Sequence, residues 1–164
     1  MLNIYRTWKD LAGAHARAGI ALLIVAIALG TGAAALAKPQ VPQTHHVVIL
    51  VDSDDEKIMG HAIGYSVNLN RYFATKNERV AIEIVANGSG IVLFRADRSP
   101  LQQELSALQQ SFSDINLSMC NSSKEIAEQR EGHKIDLISG ARLVPFGIGR
   151  VVELQEKGWT FIHA

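Results

Sequence analysis

One residue in this chain has a side chain suited to nucleophilic chemistry at neutral pH without a metal: Cys120, the single cysteine among 164 residues. With no second thiol, the chain can form no intramolecular disulfide, no C-x-x-C redox pair and no cysteine-rich zinc site. Cys120 ends the run Ile115-Asn116-Leu117-Ser118-Met119-Cys120 and stands just ahead of Asn121-Ser122-Ser123-Lys124-Glu125. A thiol between a strand end and a helix N-terminus faces unpaired backbone N–H groups and the positive end of the helix dipole, both of which favour the thiolate. The same placement predicts a partly exposed sulfur, the combination that marks reactive thiols. The alternative is a small apolar side chain filling the end of the strand.

Other polar groupings are less specific. Asp52-Ser53-Asp54-Asp55-Glu56 offers oxygen ligands for a hard cation, but an EF-hand loop counted from Asp52 has no glycine at its sixth position and carries Ile63 at its twelfth. The run reads instead as a solvated loop whose acids favour the start of a helix. Asn87-Gly88-Ser89-Gly90 is a turn cluster that lacks the rest of a G-x-G-x-x-G or Walker pattern. Asn87 and Gly88, with Asn121 and Ser122 beside the cysteine, are the candidate binding residues. The six histidines show no H-E-x-x-H or other ligand spacing, so neither a metal site nor a cofactor is expected. No G-x-S-x-G is present, which removes the commonest α/β serine-hydrolase signature. Arg142 and Arg150 flank Pro145-Phe146-Gly147-Ile148-Gly149 and read as salt-bridge partners or, alternatively, as anion or partner contacts.

The elements that must hold these residues follow from periodicity. His46 to Val51 is a short, continuous, β-branched run, hence a strand buried on both faces, which predicts a parallel sheet. Met59, Ala62, Ile63, Ser66, Asn70 and Phe73 recur at helical spacing and predict a helix over about Lys57 to Thr75. Val80 to Ala86 is a second strand. Ser99-Pro100-Leu101-Gln102 reads as an N-cap with proline at the first helical position, opening a helix striped by Leu101, Leu105, Leu108 and Phe112. Ile115 to Met119 is a third strand, and Ser122-Ser123-Lys124-Glu125 reads as a capping box for a helix that Gly132 ends. Leu137 and Ile138 lead into a fourth strand ending at Leu143-Val144-Pro145, a helix through Ile148, Val151, Val152 and Gln155 closes at Gly158, and Trp159 to Ile162 is the last strand. This alternation predicts an α/β fold: a single open, mainly parallel sheet of about five strands with helices on both faces. Ligands in such sheets collect outside the carboxyl ends of the strands, so the acidic run, the Asn87 turn and Cys120 should share one edge.

Composition sets the outer limits. Sixteen Lys+Arg balance sixteen Asp+Glu, and aromatic residues make up 6%, so the chain has neither the basic field nor the stacking surface of a dedicated nucleic-acid binder. Residues 1–37 hold Arg6, Lys9 and Arg17 against Asp10, a net of +2. The apolar run Ile20 to Leu29 follows, then Ala35-Leu36-Ala37, the order of a signal peptide with an A-x-A cleavage site. An uncleaved anchor over residues 19–37 is the alternative, and would be the chain's sole attachment to a membrane. Residues 38–45, with two prolines, read as a linker, leaving 46–164 as the folded domain. The expected location is the periplasm or another exported compartment, or else a membrane-anchored position.

The segment Gly140 to Trp159, with its Val144-Pro145-x-Gly147-x-x-Arg150-x-x-Glu153-Leu154-Gln155-x-x-Gly158-Trp159 ending, closely resembles the DsrE/DsrF-like family. The resemblance extends over His46 to Ile162 and takes in the first strand and the Asn87-Gly88 turn. It implies a small α/β fold that assembles into homo-oligomers, often trimers or hexamers. It also implies a sulfur-relay role in which a cysteine carries sulfur as a persulfide between a donor and an acceptor protein. The position matching the family's sulfur-bearing cysteine is Cys120. The residues after it differ from the small-residue and arginine-rich stretch of the relay carriers, so the docking of donor and acceptor does not carry over. Two functions therefore stand as expectations: an exported sulfur carrier or sulfurtransferase-like protein acting through Cys120, or a non-catalytic oligomeric binding or assembly module in which Cys120 is structural.

Overall fold

The computed structural model describes residues 42–164. The leader expected over residues 1–37 and the first part of the linker lie outside the described residues. The first strand begins at Thr44, so the segment expected as linker ends sooner than residue 45.

Five parallel strands form one sheet in the order β4-β3-β2-β1-β5. They are β1 (Thr44–Val51), β2 (Arg79–Ala86), β3 (Ile115–Cys120), β4 (Ala141–Val144) and β5 (Thr160–His163). Between them run α1 (Glu56–Ala74), a 3-10 helix (Gly88–Phe94), α2 (Gln102–Ser111), α3 (Asn121–Glu131) and α4 (Gly147–Glu156). The chain steps from β1 to β4 in one direction, and right-handed crossovers then put α1, α2 and α3 on one face. The connection from β4 to β5 returns across the sheet and places α4 on the other.

Alternation along each strand divides the core in two. Val47, Ile49, Val51, Ile82, Ile84, Leu117 and Met119 face Met59 and Ala62 of α1, Leu105 and Leu108 of α2, and Ile91, Leu93 and Phe94 of the 3-10 helix. Val48, Leu50 and Val85 face Val151 and Leu154 of α4, with Trp159 packed alongside. Glu83 and Ser118 lie on this second, thinner side, together with Cys120.

Several helix starts differ from the sequence reading. Asp55 caps α1 by accepting from the Lys57 and Ile58 amides at 2.8 and 3.3 Å, as the acidic run implied. Ser99 does not cap α2: its hydroxyl donates to the Leu93 carbonyl at 2.6 Å, and the helix starts at Gln102 after Leu101 without a side-chain cap. Ser122 does not cap α3 either: the cap lies two residues earlier, at Cys120, and the helix starts at Asn121. Gly132 ends α3 in the left-handed conformation, φ 74°, as expected. Leu137 belongs to no strand but makes an isolated antiparallel bridge to Arg95. Asn87 to Gly90 reads in sequence as a plain turn, whereas the chain runs from Gly88 into the 3-10 helix. A Cβ on Gly90 would lie 2.7 Å from the Val51 carbonyl carbon, so glycine is what lets this helix press against the end of β1.

Candidate functional site

The parallel register brings all strand ends to one edge. Val51 pairs with Ala86, Ala86 with Met119, Cys120 with Val144 and Leu50 with His163. Asp52, Asn87 and Cys120 therefore follow one another along the carboxyl edge, as the sequence reading required. The strand order reverses between β1 and β5, and there His163 Nε2 lies 3.0 Å from Asp52 Oδ1.

Cys120 is 3% exposed, more deeply buried than its predicted position at the edge implied. Two elements cover it. Its Sγ accepts from the Ser123 amide at 3.4 Å, capping α3. The start of α4 lies over it from the opposite side, where a Cβ on Gly147 would be 3.0 Å from Cys120 Cβ and 3.0 Å from Asn87 Oδ1. Glycine is therefore what allows the α4 N-terminus to come this close. Burial pushes the thiol pKa up, but the Ser123 hydroxyl and the Ser123, Gly147 and Ser122 amides outweigh it and hold the pKa below its ordinary value. Two helix N-termini thus converge on one sulfur, and both reduce the cost of placing a negative charge on it.

The predicted binding residues split into two pairs. Asn87 and Gly88 are joined to the cysteine through Ser123: the Gly88 amide donates to Ser123 Oγ at 3.0 Å, and that hydroxyl reaches Asn87 Oδ1 at 3.4 Å. Asn121 and Ser122 form the first turn of α3, and of the two only the Ser122 amide acts on the sulfur. Asn121 donates to Glu125 at 2.7 Å, and the Ser122 amide donates to the Pro145 carbonyl at 3.3 Å. Ser123 and Gly147 escaped the sequence reading. The first was visible only as part of an expected capping box, and nothing in sequence pairs residue 147 with residue 120.

Beside this centre lies an open cavity of about 390 Å³, lined by Gly88, Ser89, Ile91, Ser123, Ile126 and Arg130 among others. Ser123 is the residue common to the cavity wall and the sulfur's surroundings. On the α4 side, Arg150 makes a two-pronged pair with buried Glu83, both bonds 2.8 Å, while Arg142 and Ser118 donate to the same carboxylate at 3.0 and 2.8 Å. Of the two readings for Arg142 and Arg150, the ion pair is the one observed. Asp97, Glu131 and His133 could converge on a cation, but both carboxylates are engaged by the buried Arg95 at 2.7–2.9 Å. Among the described residues no helix is long and apolar enough to cross a membrane.

This arrangement defines an open parallel α/β protein with a buried, hydrogen-bonded thiol at the carboxyl edge of its sheet. By sequence, the chain matches no protein-family model and no curated protein. Among solved structures, MTH1491 from Methanobacterium thermoautotrophicum, a protein of unknown function, is 28% identical with a TM-score of 0.61, covering 73% of this chain and 99% of its own. BT1422 from Bacteroides thetaiotaomicron, also of unknown function, is 18% identical with a TM-score of 0.50 over 73% of this chain and 94% of its own. The ychN protein from E. coli is 8% identical with a TM-score of 0.53, covering 76% of this chain and all of its own. The last two share the fold alone.

Proposed function

We propose that this protein is an exported DsrE/DsrF-like sulfur carrier that holds sulfur as a persulfide on Cys120. The observation that carries this reading is the convergence of the α3 and α4 N-termini on Sγ, which stabilises the anion that must attack. The thiolate displaces a thiolate from a sulfane donor: Cys120–S⁻ plus R–S–SH gives Cys120–S–SH plus R–S⁻, one S–S bond forming as another breaks. A partner thiolate removes the outer sulfur by the same exchange. The chemistry is thiol exchange throughout and uses no metal. The family resemblance adds self-association as a trimer or hexamer, and the outward-facing Phe146, Ile148 and Val152 at α4 give a copy of the chain an apolar surface to cover.

One observation favours a second reading. A cysteine that is 3% exposed and caps a helix has a structural task of its own, and the adjacent cavity would then serve a small ligand without covalent chemistry. Intact mass separates the two. After incubation of the protein purified from cells with a sulfane donor, the carrier gains the mass of one sulfur atom, a gain absent from Cys120→Ser and reversed by reductant. No gain, with the thiol unreactive until unfolding, assigns Cys120 to the structural role.

A further inference from the structure

We infer that the cavity between the 3-10 helix and α3 binds a small organic monoanion: a molecule with an apolar body and one carboxylate, whose charge is taken by Arg130 and Arg98. The inference goes beyond the sulfur-carrier reading and does not depend on it, because Ser123 lines this cavity and Cys120 does not.

The cavity has a polar end at the sheet edge, an apolar middle and a cationic far end. One wall is α3, through Ser123, Ile126, Ala127 and Arg130, which are three and four residues apart and so share a helix face. At 1.5 Å per residue, Ser123 and Arg130 stand about 10 Å apart along the helix axis. At the near end the Gly88 amide donates to Ser123 Oγ at 3.0 Å. Ile91 and Val92 of the 3-10 helix supply the apolar part of the other wall. Ile126 is 46% exposed, an apolar side chain left for a ligand to cover. The volume of about 390 Å³ lies within the range of small-molecule sites.

The far end carries more positive charge than the fold itself neutralises. Buried Arg95 directs four N–H donors at Asp97 and Glu131, two to each carboxylate. Arg98, half exposed, pairs with Glu131 at 2.9 Å. Arg130 also lines the cavity and pairs with no carboxylate among the described residues. Three guanidinium groups thus meet two carboxylates, and one positive charge is left over. The remaining carboxylate of the cavity wall, Asp54, stands at the opposite end, between β1 and α1. An anion is therefore drawn to the Arg130 end and repelled from the sheet end, which sets its direction in the cavity. A guanidinium offers paired N–H donors that match the two oxygens of a carboxylate. A surplus of one charge suits a monoanion better than a phosphate dianion.

The probe is phenylacetate, titrated into isotope-labelled protein purified from cells, with backbone amide shifts in the NMR spectrum as the readout and neutral phenylacetamide as the control. Phenylacetate should give saturable shifts centred on Gly88, Ser89, Ser123, Ala127 and Arg130, and the neutral amide should bind about tenfold more weakly. Arg130→Gln changes an exposed side chain that makes no ion pair, so it should fold as the wild type and lose the preference for the anion. Ile126→Glu, also at an exposed position, sets a carboxylate in the apolar middle and should abolish phenylacetate binding. No saturable shift at millimolar probe, shifts centred elsewhere, or equal affinity for the two probes overturns the inference. So does a preference for the anion that survives in Arg130→Gln, or binding that survives in Ile126→Glu.

Discussion

Glu83 occupies the middle of a central strand, in Val80-Ala81-Ile82-Glu83-Ile84-Val85-Ala86, and is 1% exposed. Burial raises the cost of its charge, but hydrogen bonds from Arg150 and Ser118 and the charge of Arg142 hold the carboxyl pKa below its ordinary value. Removing one member of such a group strands the others. Glu83→Ala is expected to cost about 2–3 kcal/mol in urea unfolding, below the usual penalty for a fully buried pair because Arg142 and Arg150 keep contact with water. Arg79→Ala, which breaks an exposed pair with Asp114, is expected to cost less than about 1 kcal/mol in the same measurement. At this scale the sequence is half legible. Arg142 and Arg150 are conspicuous beside a glycine-rich segment, and Cys120 stands out as the one thiol. Their partners do not, because Glu83 lies 59 and 67 residues from the two arginines and no local period links them.

Among the elements, two glycines set how closely helices approach the strand ends. Gly90→Ala places a Cβ against the Val51 backbone, which has no rotamer with which to yield. The 3-10 helix must shift, and a loss of about 2–3 kcal/mol in unfolding free energy is expected. Gly147→Ala meets side-chain atoms of Asn87 and Cys120 instead. It should cost less stability but move the α4 amide off the sulfur, raising the pH midpoint of Cys120 alkylation. An unshifted midpoint would deny α4 a part in stabilising the thiolate. The strands and α1 were readable because apolar period and β-branching are properties of the segment itself. Helix starts at Ser99 and Ser122 are not legible from pattern alone, because a cap depends on where the side chain finds its partner. Ser99 found Leu93 and left α2 uncapped, and a sulfur took the place expected for a serine oxygen.

Across the whole molecule, acid should unfold the protein through a few identifiable carboxylates. Hydrogen bonds from Arg95 lower Asp97 to about 2, and those from Lys124, Ile135 and Lys134 lower Glu128 to about 2; Arg95 lowers Glu131 as well. Because these pKa values are depressed on folding, their stabilisation is fully present above the ordinary values of 3.8 and 4.5 and is lost as pH falls through about 2. Thermal midpoints measured by circular dichroism should be level in this respect down to about pH 5 and then fall, with a shallower fall in Arg95→Met, which starts from lower stability. The order of the strands has a consequence for the sulfur. The sheet grows outward from β1 to β4, and only the last segment returns across it to lay α4 over the sulfur and to seat β5 beside β1. Whenever that C-terminal segment is undocked, Cys120 keeps only one of its two helix termini and has an open flank. The thiol's exposure to oxidants is then set by how firmly the C-terminal segment is docked, and Gly147→Ala, which disturbs that docking, should speed oxidation of Cys120 as followed by intact mass.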